Sequence, residues 1–251
     1  KGSMLSVTAD IKDFFSVLLS RHPLRSSFRL LAIFRKVKLY REYLAISREF
    51  KLPKDYLVFF LHFQPERTSV PEGLSYSAQW LAIKQISEAL PTSTKLVIKE
   101  HQAMFRRKLD PRTRDLEFYN AVALLHNVIV APLDFDTFRL LDSSKTVVTL
   151  TGTVGFEALV RNKSVIALGA APYKDAPNVR NPRNYKALRE CLVESNELGS
   201  TSTLQDYLRW VESNTSSAEF PPDGQSKAFF NVDCERECIN KEFLRAAKCQ
   251  G

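Results

Sequence analysis

Two periodicities divide the chain. Between residues 8 and 49 apolar side chains recur at helical spacing, and Ile11, Phe14, Phe15, Leu18 and Leu19 form one such set. Pro23 interrupts the pattern, and a second helix is expected over about residues 25–48. There Phe28, Leu31, Ala32, Leu39, Tyr43 and Ile46 share one side, while Arg29, Arg35, Lys36, Lys38 and Arg41 spread over the rest. Pro53 closes the segment. From Asp55 onward, short apolar runs alternate with amphipathic stretches. Runs at 56–61, 95–99, 128–130, 146–150 and 164–168 predict strands. Stretches at 77–90, 112–126, 137–142 and 154–161 predict the helices between them, with Leu81, Ile83, Ile86 and Leu90 as the core contacts of the first. Beyond Pro182 only helical patterns follow, at 185–194, 203–212 and 234–248, with a Ser/Pro/Gly-rich loop over 213–227.

Strands that alternate with helices specify a parallel sheet covered on both faces. The expected fold is therefore α/β, a Rossmann-like parallel sheet of about five strands with helical extensions at both ends. Two parts are expected: a helical segment over 1–54 and the Rossmann-like domain over 55–251.

Charge sharpens that division. The formal net charge is +8. Residues 1–54 hold 12 Lys/Arg against 4 Asp/Glu, and the remaining residues hold 24 against 24. The excess belongs to the N-terminal segment and the body is neutral, which argues against a nucleic-acid partner for the folded body. A basic amphipathic helix over 25–54 can instead rest on an anionic membrane as a peripheral contact. No apolar run is long enough to span a bilayer, and no signal-peptide pattern is seen. Four cysteines do not make a disulfide scaffold, and Cys234 and Cys238 lack histidine partners for zinc, so a reduced, cytoplasmic protein is expected.

In open parallel sheets ligands bind outside the carboxyl ends of the strands, which selects the segments that follow each run. Thr151-Gly152-Thr153 leads from the fourth strand into a helix whose first amides are unpaired and whose dipole favours an anion. Gly152 admits close approach, the threonine hydroxyls add donors, and Glu157 stands one turn on, placed for a ribose. An N-capping threonine in a tight turn explains the same residues structurally. His101, beside Lys99, follows the second strand and can donate to a phosphate, or serve as a satisfied structural histidine. After the first strand, Gln64 and Glu66 flank Pro65. Glu66 is a candidate general base or hydroxyl acceptor, or a loop partner for Arg67. Asp134-Phe135-Asp136 spells a metal-binding pattern but immediately precedes a helix, so capping is the cheaper account and no metal is expected.

Four blocks, residues 59–68, 99–101, 149–159 and 169–173, resemble in order and spacing the capsule polysaccharide biosynthesis family, which includes Kdo transferases. The resemblance covers about residues 56–173. It implies one half, the C-terminal nucleotide-sugar-binding half, of a GT-B-like architecture. It also implies transfer of a sugar from a nucleotide-activated donor such as CMP-Kdo to a growing capsule or surface polysaccharide. The partners are then a nucleotide sugar, as substrate with no further cofactor, and a glycan or glycolipid acceptor. Lys99, His101, Thr151, Gly152 and Thr153 would surround the phosphate, Glu157 the ribose, and Gln64 and Glu66 would line the catalytic cleft. The family's proline after the histidine is Gln102 here, and residues 1–54 cannot supply a second Rossmann-like domain. The alternative is a non-catalytic family member that acts as an interaction module in polysaccharide biosynthesis or export.

Overall fold

A computed structural model of the chain describes residues 23–64, 70–106, 114–193 and 201–214. The chain falls into two compact units, Lys1–Thr201 and Ser202–Gly251. In the first, six parallel strands form one sheet: β1 (Tyr56–Phe60), β2 (Lys95–Lys99), β3 (Val128–Val130), β4 (Thr146–Thr149), β5 (Ser164–Ala167) and β6 (Val179–Arg180). Their order across the sheet is β3-β2-β1-β4-β5-β6. The chain thus winds outward from β1 to β3, returns to the middle, and winds the other way from β4. The reversal lies between β1 and β4, where Leu57, Val58 and Phe59 align with Thr146, Val147 and Val148.

The strands are buried on both faces because each pleat points alternate side chains into a separate layer. Leu57, Phe59, Leu61, Leu96, Ile98, Val148, Leu150, Ile166 and Leu168 join one core cluster with Ala82, Ile83 and Ile86 of α2 (Gln79–Ala89, following the N-terminal helix below). α4 (Phe118–Ala123) and α7 (Tyr185–Val193) supply Tyr119, Val122 and Leu188 to that same cluster. Tyr56, Val58 and Phe60 have the opposite parity. Tyr56 Oη donates to the Leu140 carbonyl at 2.8 Å, which places α5 (Thr137–Ser143) over the second face. α6 (Thr153–Val160) lies beside α5, where Arg161 bonds Asp142 at 2.9 Å and stacks on Phe138. The handedness rule for parallel crossovers produces this split once the winding direction reverses.

α1 (Pro23–Ser47) turns Leu39, Tyr43 and Ser47 inward. Tyr43 donates to the Ala131 carbonyl beyond β3 and packs edge-on against Tyr119 at 5.3 Å. The outward face of α1 carries Phe34, Val37 and Leu44 with Arg41. Among the described residues no helix is long and apolar enough to cross a membrane.

Several expectations need adjustment. β6 is a sixth strand, two residues long, hidden in sequence by Asn178, which holds a left-handed φ of 66°. The helix expected over 112–126 is helical only at Phe118–Ala123 among the described residues, because Arg114 is drawn into the core by an ion pair. Residues 74–76 form a separate 3-10 turn, and Ser77 closes it by donating to the Leu74 carbonyl, so α2 starts at Gln79. Leu81 is exposed, and Ala82 takes the inward position. A short helix, α3 (Ala103–Arg106), follows His101. In the second unit, the described residues continue α8 (Thr201–Asn214). The helices expected at 11–19 and 234–248 lie outside the described residues, as do Cys234 and Cys238.

Candidate functional site

The carboxyl ends of β1, β2, β4 and β5 bring His62, His101, Thr151 and Gly169 to one rim. The centre of that rim is the gap between β1 and β4, where such sheets bind ligands. α6 begins there. Gly152 is its N-cap, and Gly155 N–H makes the first turn's bond back to the Gly152 carbonyl at 3.0 Å. Thr153 and Val154 therefore present the first amides of the helix, with Thr153 exposed.

The turn that precedes them is held by side chains from three parts of the fold. Thr151 N–H donates to His62 Nε2 at 3.3 Å, and Gly152 N–H to Thr149 Oγ1 at 3.2 Å. The Tyr173 hydroxyl donates to the Gly152 carbonyl. The absence of a side chain is essential here. A Cβ on Gly152 would lie 3.1 Å from His62 Nε2 and 3.0 Å from Thr149 Oγ1, and one on Gly155 would overlap the Tyr173 ring. Gly169 makes room in the same way for the Glu72 carbonyl, which accepts from Ala170 N–H at 2.8 Å. The expected role for Thr151 and Gly152 thus needs correction. Their amides are engaged by the chain itself, and the helix presents its first amides one step along, at Thr153 and Val154.

His62 is buried, and burial first, then His101 and Arg114, push its pKa down to about 4 from an ordinary 6.5. The ring is neutral at physiological pH. Its proton sits on Nδ1, since Nε2 receives the Thr151 N–H. The folded imidazole refuses a proton that the unfolded chain accepts, so stability is unaffected above pH 6.5 and declines as pH falls from 6.5 toward 4. The expected loss is up to about 3 kcal/mol. It is read as the difference between denaturation curves of wild type and His62→Gln across that range, and parallel curves would refute it.

Lys99 and Gln64 are located beneath the rim rather than on it. Lys99 Nζ donates to the carbonyls of Pro132 at 3.0 Å, Leu133 at 3.0 Å and Phe135 at 2.7 Å, its full complement of protons. Burial pushes its pKa down to about 8 against the pull of Asp134 and Asp136. It braces the loop after β3, which corrects its expected role at the phosphate. Gln64 Nε2 donates to the Ser77 carbonyl at 2.9 Å and Oε1 accepts from Arg114 at 2.6 Å. Both ends of the carboxamide thus hold the loop, a structural role beside the expected catalytic one. Glu66 lies outside the described residues. His101 Nδ1 accepts from Ala103 N–H at 3.2 Å, which leaves Nε2 as the donor of an exposed ring near Phe63. Glu157 is half-buried, one turn into α6. Asp136 Oδ1 accepts from Arg139 N–H at 2.7 Å and caps α5, as the capping account of that pair expects. Among the described residues no group of three metal-ligating side chains is present.

Sequence reasoning missed the charged pair beneath this rim. Arg114 meets Glu100 twice, Nε to Oε2 at 3.1 Å and Nη2 to Oε1 at 3.2 Å. Tyr119 donates to Oε2 at 2.7 Å and His101 N–H to Oε1 at 2.7 Å. Arg114 also donates to the His62 carbonyl at 3.1 Å and covers the Phe118 ring at 4.7 Å. Burial disfavours the charged guanidinium, but Glu100 and Tyr119 outweigh it and its pKa is raised. A glutamate directly after the buried strand β2 was the available signal.

Residues 55–177 match the family model described as capsule polysaccharide biosynthesis protein, a span that holds β1 to β5 and every rim residue above. Over that span the chain is similar to the capsule polysaccharide biosynthesis family. Solved structures are similar to the chain at low identity. The beta Kdo 2,7 transferase of Thermosulfurimonas dismutans KpsC is 18% identical, over 69% of this chain and 55% of that one, with a TM-score of 0.42. The beta Kdo 2,4 transferase of the same protein is 13% identical over 76% and 64%, with a TM-score of 0.37. The UDP-GlcNAc 2-epimerase of Methanocaldococcus jannaschii, in complex with UDP-GlcNAc and UDP, is 15% identical over 71% and 53%, with a TM-score of 0.39. The chain spans about half the length of the first of these. None of the curated proteins compared matches it.

Proposed function

We propose that the rim between β1 and β4 is the donor-nucleotide site of a glycosyltransferase, one that moves a sugar from a nucleotide-activated donor such as CMP-Kdo to a capsule or surface polysaccharide. One observation carries this reading: an eight-residue helix starts at the sheet's reversal point with its first amides beyond a turn fixed by His62, Thr149 and Tyr173. Backbone donors and a helix dipole held rigidly at that place suit a phosphate whose negative charge grows as the glycosidic bond breaks. On this reading Thr153 and Val154 hold the phosphate, the His101 ring donates from the neighbouring strand end, and Glu157 meets the ribose. No metal or other cofactor is required of these residues. Calorimetry with CMP and with UDP is expected to show binding of at least one, weakened in His101→Ala. Unaltered affinity in that variant would remove His101 from the site.

A second reading rests on a specific observation. Lys99 and Arg114, two cations beneath the rim, are both committed to internal partners. Cations withdrawn in this way from the phosphate position fit a non-catalytic interaction module. No change in melting temperature at millimolar CMP or UDP would favour it.

A further inference from the structure

Resting on the phosphate-site reading above, we propose that His62 is a positioning residue for that site: its neutral imidazole, by accepting the Thr151 N–H, sets the turn that aims the Thr153 and Val154 amides. His62 continues the parity of Tyr56, Val58 and Phe60, so its side chain leaves β1 on the face where β4 passes into α6. The ring reaches across the switch point to Thr151 at 3.3 Å and lies so close to Gly152 that a Cβ there would crowd Nε2 at 3.1 Å.

The backbone beneath the ring is immobilised from two directions. Gln79 of α2 accepts the His62 N–H at 2.8 Å and donates to its carbonyl at 3.1 Å, and Arg114 donates to that carbonyl at 3.1 Å. A ring fixed at its root and bonded at its tip acts as a strut between β1 and the entry to α6. Thr149 and Tyr173 hold Gly152 by its N–H and its carbonyl, and His62 Nε2 accepts the neighbouring Thr151 N–H. The charged and titratable groups that act on the ring are His101 and Arg114, which both disfavour a second proton; the Phe60 backbone favours one but is outweighed by burial and those two groups. The ring therefore stays an acceptor across the physiological range, and the turn is not exposed to ordinary pH changes.

A strut differs from a filler of space, and two substitutions separate them. Phenylalanine keeps the ring's bulk and removes the acceptor, whereas glutamine offers an acceptor of similar reach. His62→Phe is expected to keep its circular dichroism spectrum and melting temperature while losing at least tenfold in affinity for CMP or UDP. His62→Gln is expected to retain most of that affinity. Amide hydrogen exchange followed by NMR gives a reading that needs no ligand: Thr151 N–H should exchange at least tenfold faster in His62→Phe and return toward the wild-type rate in His62→Gln. Unchanged affinity together with unchanged Thr151 exchange in His62→Phe overturns the proposal. If neither nucleotide binds wild type, the phosphate-site reading fails by itself, and Thr151 exchange alone then decides whether His62 holds the turn.

Discussion

Replacing Arg114 with methionine is expected to cost about 3–5 kcal/mol of folding stability, because it strands Glu100 as a buried carboxylate without its cation. Glu100 is 2% exposed and accepts from Arg114, Tyr119 and its neighbour's amide. Removing the guanidinium deletes two of those bonds along with the counter-charge. It also takes one of two partners from the His62 carbonyl and from Gln64, so the ends of β1 and β2 lose a common anchor. Part of the loss is relieved by the carboxyl taking up a proton, so the variant's stability should improve as pH falls, opposite in sign to the His62 effect. The double variant Glu100→Gln/Arg114→Met removes both charges and is expected to recover much of the deficit, since a neutral pair has far less to desolvate. Guanidinium unfolding followed by circular dichroism measures all three proteins. A single substitution that costs under about 1 kcal/mol, the range of an exposed pair, would show that water reaches Glu100.

The same pair explains why some of this molecule could be read from its sequence and some could not. β1 to β5 were legible because each is a short apolar run between breakers, and burial on both faces demands that composition whatever the neighbours are. The rim was legible for a topological reason: in a parallel sheet the loops after the strands must share one edge. The commitment of each side chain at that edge was not legible. Lys99, Gln64 and His101 look alike in sequence as polar residues after strands, yet three carbonyls claim the first, a carbonyl and a guanidinium the second, and only the third remains exposed. Those partners come from 13 to 50 residues away. His62 stands in sequence simply as the first residue after the run at 56–61, since nothing local indicates that its ring would meet a turn 89 residues later. Arg114 was assigned to a helix by its periodicity, and a tertiary ion pair overrode that local preference.

The sharpest test of the rim uses opposite signs. Thr153→Asp places a carboxylate at the first helical position of α6, where Thr153 is exposed and the helix dipole favours negative charge. Stability is expected to rise by about 0.3–1 kcal/mol, the usual gain for an acidic side chain in a first turn. Nucleotide affinity should move the other way. Two unit charges about 4 Å apart interact at about 4 kcal/mol near a protein surface, and screening by solvent and salt reduces but does not abolish that repulsion. The expected result is at least a tenfold loss of CMP or UDP affinity at low ionic strength, smaller at high salt. Thr153→Ser, which keeps the hydroxyl, should bind as wild type does. A residue that merely shaped the turn would shift stability and affinity together. A more stable Thr153→Asp protein that binds nucleotide with undiminished affinity would place the phosphate away from α6, and the donor-site reading would lose the observation on which it stands.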